Sequence, residues 1–335
     1  MGLTLIIMQM VELSIVVPVY GCRDCLQSLH QQVTAAAKTI TSSYEIVFVD
    51  DRSPDGAWPL LEEMSRGDSH VRAVRLSRNF GQHAAITAGL ATARGEWTVV
   101  MDCDLQDPPE AIPELYGKAK GGYDVVFARR LQRSHSALRL AMAKLYFKTL
   151  NAFMGTRIDG AYGTFSILSR KVVDAYLSLG DLERHYLFVL YWLGFEHSTI
   201  DVEHRDRGSG KSSYTLGRLI RHAVSGVFFQ TTNLLIYIVY LGFALAGLGA
   251  VGVLYLVYTY ATAHPPAGFT FLAVLLLLIG GFIITSTGVT GLYIGRVFQQ
   301  VKGRPLYVID TVTREAPGRP ASAERAMRKE VESIR

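Results

Sequence analysis

Asp102-Cys103-Asp104-Leu105-Gln106-Asp107 sets three carboxylates and an amide oxygen close together, directly after the apolar run Trp97-Thr98-Val99-Val100-Met101. Hard oxygen donors of this kind suit a divalent cation such as Mg²⁺ or Mn²⁺. When one or two carboxylates hold Mg²⁺, water and substrate phosphates usually fill its remaining positions. A short Val-rich run bounded by polar residues reads as a buried strand of a parallel sheet. In open α/β sheets ligands bind beyond the carboxyl ends of such strands. The cluster therefore points to a metal–diphosphate site. The bland reading of the same residues is a solvated turn and helix cap ahead of Pro108.

Positioning such a cluster requires a sheet, and the N-terminal two-thirds of the chain supplies the pattern of one. Apolar runs at 13–19, 45–49, 71–76, 98–101 and 124–128 read as strands, with helical patterns beginning near Asp24 and spanning 57–64 and 83–93. This alternation predicts an α/β fold with a doubly wound, mostly parallel sheet.

The C-terminal third differs. Between Ala223 and Gly295 there is no Asp, Glu, Lys or Arg. Two apolar stretches in that span, 234–260 and 269–297, each exceed the ~20 residues that cross a bilayer core as a helix. His264-Pro265-Pro266-Ala267-Gly268 separates them as an uncharged turn. The expectation is a transmembrane hairpin. Arg218, Arg221 and His222 precede it, Arg296, Lys302 and Arg304 follow it, and the connecting turn has no Lys or Arg. The basic flanks place both termini and the catalytic domain in the cytoplasm. The segment 216–233 reads as an interfacial amphipathic helix, and 137–154 as either a second one or a helix packed on the sheet. The full partition is an extension 1–11, a catalytic domain 12–215, the interfacial helix 216–233, the hairpin 234–298 and a cytoplasmic tail 299–335, loose beyond Glu315.

The net charge of +5 is modest, and much of the basic excess flanks the hairpin. That favours an anionic membrane surface over nucleic acid. Cys22, Cys25 and Cys103 make no disulfide framework. Cys22-Arg23-Asp24-Cys25 has CxxC spacing but no second ligand pair for zinc, so it reads as two ordinary cysteines at a helix start.

Four strings occur in order: Ser14-Ile15-Val16-Val17-Pro18-Val19-Tyr20; Glu45-Ile46-Val47-Phe48-Val49-Asp50-Asp51-Arg52-Ser53-Pro54-Asp55-Gly56; Arg78-Asn79-Phe80-Gly81-Gln82-His83; and Asp102-Cys103-Asp104-Leu105-Gln106-Asp107-Pro108-Pro109. Together with the apolar hairpin they resemble the family 2 GT-A glycosyltransferases of the polyprenyl-phosphate type, such as bactoprenol glucosyltransferases and dolichyl-phosphate mannose synthases. The resemblance covers roughly 13–304. It implies a Rossmann-like GT-A domain that uses a nucleotide sugar with Mg²⁺ or Mn²⁺. Pro18, Tyr20 and Val49 would line the nucleotide pocket, and Asp51 would accept a hydrogen bond from the base. Asp50 is given a structural role in the next turn. Asp102 would face the ribose or diphosphate, and Asp104 and Gln106 match the metal ligands. Arg130 falls where the family contacts phosphate. Arg207 matches the arginine of the loop pattern R-x-x-G-x-S-x-Y that clamps donor diphosphate or acceptor phosphate.

Two departures stand out. The family's loop lysine is replaced by Ser213, with Lys211 two residues earlier. In Gly163-Thr164-Phe165, Thr164 stands where many relatives place an Asp, and Asp159 is the nearby substitute. A phosphate acceptor with a second pKa near ~6 is already anionic at neutral pH, so it needs little help from a base. The implied activity is inverting transfer of a sugar, UDP-hexose as donor, to undecaprenyl or a similar polyprenyl phosphate in the cell membrane, for envelope glycans. Expected partners are the lipid bilayer, a flippase, a downstream glycosyltransferase and further copies of the chain. The alternatives are a processive polysaccharide synthase, disfavoured by the lack of a Gln-x-x-Arg-Trp string, and a non-catalytic membrane scaffold.

Overall fold

All seven residues of β1 (Leu13–Val19) and all seven of β2 (Tyr44–Asp50) are buried. Strands apolar on both faces belong in the middle of a covered parallel sheet, and the computed structural model places them there. It describes residues 11–131, 162–181, 184–203 and 269–313, with isolated helical positions between 238 and 262. The remaining strands are β3 (Val71–Leu76), β4 (Trp97–Val100), β5 (Val125–Leu131), β6 (Tyr162–Ser169), β7 (His197–Glu203) and β8 (Ile309–Val312). They form one sheet in the order β7-β5-β6-β4-β1-β2-β3-β8. β1 pairs in parallel with β2 and β4, β2 with β3, and β5 with β7. β6 runs antiparallel between β4 and β5, and β8 antiparallel along β3. The mostly parallel α/β expectation holds.

Alternate residues of β1 feed two cores. Leu13, Ile15, Val17 and Val19 pack under α1 (Leu26–Lys38), α2 (Ala57–Gly67) and α4 (Ile112–Lys120). The first of these helices buries Leu26, Leu29, Val33, Ala36 and Ala37, the three-and-four spacing of one helical face. On the other side Val16, Val47 and Val49 meet α3 (Gln82–Thr92), with α5 (Arg170–Ser178) and α6 (Tyr186–Leu193) beyond. α3 is Ala-rich because it lies close to the sheet. A Cβ on its Gly89 would stand 2.3 Å from Val16 Cγ1 and 3.2 Å from Val49 Cγ2. Each large aliphatic side chain buried here contributes on the order of 1.5–3 kcal/mol.

The second apolar segment forms one helix, α7 (Phe269–Val301), of 33 residues. Among the described residues no helix is long and apolar enough to cross a membrane. The connecting turn, most of the first apolar segment and several α7 side chains lie outside that set, as do the segments 137–154 and 216–233.

Against the expectation of a tail from residue 299, the chain beyond α7 returns to the sheet as β8. Val74 pairs with Val312 and Arg75 with Thr311. Thr313 Oγ1 accepts from the Ala73 amide at 3.0 Å, and Arg52 donates to Asp310 at 3.0 Å.

Candidate active site

The carboxyl ends of β1, β2 and β4 lie side by side, because the three strands are parallel and in register from Leu13, Tyr44 and Trp97. Their following loops therefore share one rim of the sheet. Tyr20 follows β1 and is 54% exposed there. Asp51 follows β2, and Asp102 to Asp107 follow β4. Between Asp104 and Gln106 the backbone turns through Leu105 at φ 61°, a left-handed conformation that costs a branched residue energy and that tends to occur at functional sites. Asp104 accepts the Gln106 amide at 3.1 Å.

The antiparallel insertion of β6 completes the site. Val100 pairs with Ser166, so extending the register two residues sets Thr164 opposite Asp102. The Thr164 hydroxyl donates to Asp102 Oδ1 at 2.8 Å, and Gln82, from the start of α3, donates to the same oxygen at 2.7 Å. Arg130, near the end of β5, reaches Asp107 Oδ1 at 3.1 Å and Asp102 Oδ2 at 3.8 Å. Neighbouring Arg129 is engaged elsewhere, by Asp201 at 2.6 and 2.8 Å. Arg130 lies across the backbone of Gly163, where any Cβ would sit 2.7–2.9 Å from the guanidinium. A side chain at this position would push the guanidinium aside.

The electrostatics follow from burial. Removal from water, then the neighbouring Asp107, pushes the Asp102 carboxyl up to about 6, against the hydrogen bond from Thr164 and the charge of Arg130. Burial likewise raises Asp107, with Arg130 holding it back. Three carboxylates, Asp102, Asp104 and Asp107, crowd this rim and Arg130 reaches two of them, an arrangement attractive to a cation. Its donors are hard oxygens, as Mg²⁺ and Mn²⁺ require. Among the described residues no group of three or more His, Cys, Asp or Glu is arranged to hold a metal by itself. The set fits a cation that takes much of its coordination from phosphate oxygens and water.

Several sequence expectations change here. Val49 is fully buried in the core against α3, so its side chain does not line a pocket. Pro18 is buried within β1. Asp51 is also buried, and its two oxygens accept the backbone amides of Phe80 and Gly81 at 2.7 and 2.9 Å; burial raises its pKa and these bonds oppose the rise. Its observed work is to hold the loop ahead of α3. Asp50 accepts the Ser53 amide at 2.9 Å, as its structural reading required. Arg207, Lys211 and Asp159 lie outside the described residues.

The cysteines depart furthest from expectation. Cys22 and Cys103 form a disulfide across 81 residues of sequence, with Cα atoms 6.3 Å apart, while Cys25 is a free thiol. No spacing rule announces that pair. The roles of Gln82 and Gly163 are not legible in the sequence, because they arise from the packing of α3 and β6 against the rim, whereas Asp107 already belongs to the acidic string.

The glycosyl transferase family 2 profile matches residues 14–177. An undecaprenyl-phosphate 4-deoxy-4-formamido-L-arabinose transferase of Pseudomonas fluorescens is 37% identical over 317 residues, covering 92% of this chain and 93% of the relative. An uncharacterised glycosyltransferase of Synechocystis is 32% identical over 302 residues, covering 89% of this chain and 95% of the relative. Among solved structures, glucosyl-3-phosphoglycerate synthase of Mycobacterium tuberculosis matches with a TM-score of 0.47 at 15% identity, covering 65% of this chain and 78% of that one.

Proposed function

The chain belongs to glycosyl transferase family 2, and from that premise we propose that it moves a sugar from a nucleotide donor to a polyprenyl phosphate at a membrane surface. One observation carries the reading. The similarity to undecaprenyl-phosphate transferases runs over 92% of the chain, so it extends past the catalytic sheet into the apolar C-terminal third. A lipid acceptor explains why a catalytic domain and apolar helices share one chain, since its phosphate sits where the bilayer meets water.

The chemistry proposed for the rim is inverting displacement at the anomeric carbon. The acceptor phosphate oxygen attacks, and the nucleoside diphosphate leaves. Asp104 and Gln106 would hold Mg²⁺ or Mn²⁺, which supplies counter-charge to the departing diphosphate. Tyr20 forms one wall of the nucleotide site. Asp51 keeps the loop before α3 in place beneath it. Asp102 is oriented by Gln82 and Thr164 toward the ribose or diphosphate. Arg130 balances the buried Asp107 and the half-buried Asp102 and remains close enough to meet phosphate. The Thr164 hydroxyl donates a hydrogen bond to Asp102 and, being a neutral alcohol, is not a general base; the acceptor dianion supplies its own nucleophile. Arg207 and Lys211 are assigned to phosphate capture, and both termini to the cytoplasmic side.

The donor is proposed to be a UDP-sugar, with UDP-hexoses and UDP-4-deoxy-4-formamido-L-arabinose as the candidates. Membranes containing the full-length chain, given radiolabelled UDP-sugars, GDP-mannose, Mn²⁺ and a polyprenyl phosphate, should yield an organic-extractable product. Asp104→Ala should lower its formation by at least ~10²-fold, the usual cost of losing an electrostatic stabiliser, while the protein still enters membranes. A polymeric product would favour a processive synthase. No turnover with any donor would favour a scaffold.

A further inference from the structure

We propose that Cys22 and Cys103 are positioning residues of this active site, and that their disulfide fixes the acidic loop which receives metal and diphosphate. The inference rests on the metal–nucleotide reading of that loop. Cys103 stands between Asp102 and Asp104, so any displacement of its Cα displaces both carboxylates. Its partner lies in the loop after β1, on the nucleotide side of the rim, two residues beyond Tyr20.

That loop is itself well anchored. The Gly21 amide donates to Ser53 Oγ at 2.8 Å, and the Arg23 amide to Asp55 Oδ2 at 2.9 Å. Ser53 in turn donates to Asp55 Oδ1 at 2.6 Å. The loops after β1 and β2 are thus joined by hydrogen bonds, and the disulfide ties the acidic loop to this pair. Both cysteines are 8% exposed and belong to the core under α1. Leu105, held left-handed beside them, is the kind of backbone that persists only when its surroundings over-determine it. The disulfide supplies such a restraint.

In a reducing compartment a disulfide is usually transient or redox-sensing, so the device also makes the site sensitive to thiols. A protein or small-molecule dithiol is the reductant required. One of its thiolates attacks a sulfur of the Cys22–Cys103 bond, forming a mixed disulfide and releasing the other cysteine as thiolate. Its second thiol then closes on the first, leaving Cys22 and Cys103 as two thiols and the reductant as a cyclic disulfide. Two electrons and two protons pass to the enzyme. Cys25 takes no part, and burial followed by the nearby carboxylates Asp104 and Asp24 raises its pKa and keeps it a thiol.

The test uses the full-length protein in lipid nanodiscs, air-oxidised or reduced with dithiothreitol. Alkylation under denaturing conditions counts thiols, and calorimetry measures binding of Mn²⁺ with UDP or GDP at a temperature where circular dichroism is unchanged. Oxidised protein should alkylate at Cys25 alone, and reduced protein at Cys22, Cys25 and Cys103. Reduction should weaken Mn²⁺–nucleotide binding by about 10–100-fold, the usual cost of losing the outer support of a metal ligand, and re-oxidation should restore it. Cys25→Ser should respond as the parent does. Cys22→Ser and Cys103→Ser should bind weakly and ignore the reductant. Equal binding in both redox states, three free thiols before reduction, or a reductant response that survives Cys22→Ser would each overturn the inference. Failure of Mn²⁺–nucleotide to bind in either state would instead strike down the proposed function, and this inference with it.

Discussion

Replacing Arg130 with Met should turn a stable carboxylate cluster into a pH-dependent liability. Asp107 has no exposed side-chain surface, and Arg130 approaches it at 3.1 Å while remaining 29% exposed itself. Removing one partner of a buried ion pair typically costs about 3–5 kcal/mol. The partial exposure of the arginine argues for the lower part of that range, since solvent already screens the pair. Protonation of Asp107 sets a ceiling. With an unfolded pKa near ~3.9 and ~1.4 kcal/mol per unit, the cost cannot exceed about 5 kcal/mol at pH 7.5 or about 1.5 kcal/mol at pH 5. The sign follows from the direction of the shift. Burial raises the folded pKa of Asp107, and losing Arg130 raises it further, so the folded state prefers the proton. The penalty is least below the unfolded pKa and grows as pH rises toward the folded one. Thermal unfolding of Arg130→Met in EDTA should therefore show a deficit of about 3 kcal/mol at pH 7.5 that shrinks at pH 5. Adding Asp107→Asn should recover most of it, as coupled partners in one network do. A deficit independent of pH, or one untouched by Asp107→Asn, would refute the assignment of Arg130 as the counter-ion of Asp107.

Gly163→Ala should lower kcat/KM by about tenfold or more, because its Cβ would displace the Arg130 guanidinium by contact under 3 Å and small misplacements of site groups are costly; steady-state kinetics at saturating Mn²⁺ checks it. Thr164→Val removes a hydrogen bond to the Asp102 carboxylate and should weaken nucleotide binding by about 1.5–3 kcal/mol, while Thr164→Ser retains it; calorimetry with UDP separates the two. Gly89→Ala forces α3 away from Val16 and Val49 and should destabilise the fold by about 1–3 kcal/mol in denaturant titrations.

The first five strands were legible because each is a run of apolar residues closed by polar ones, and the acidic rim because carboxylates after such a run have few other uses. The rest was set by pairing that no local pattern records. β6 carries Gly163 and Thr164 into the site only because it enters antiparallel between β4 and β5. β8 is four residues long and mostly exposed, so its sequence looks like tail. Val49 sits in a motif that suggested a pocket wall, but alternation along β2 turns its side chain into the core. Cys22 and Cys103 are brought together by adjacent parallel strands, a neighbourhood invisible at a separation of 81 residues.

β8 has a consequence for how the enzyme is made. Arg52, in the loop of the second strand, meets Asp310, which follows it by 258 residues. The ribosome must therefore pass Val312, apolar helix included, before this last ribbon can dock. Until then the flank of β3 presents unpaired amides and carbonyls, an invitation to stray association. Completion of the sheet thus waits on synthesis of the apolar helix that precedes β8, and a nascent chain stalled before that step carries an unsealed sheet.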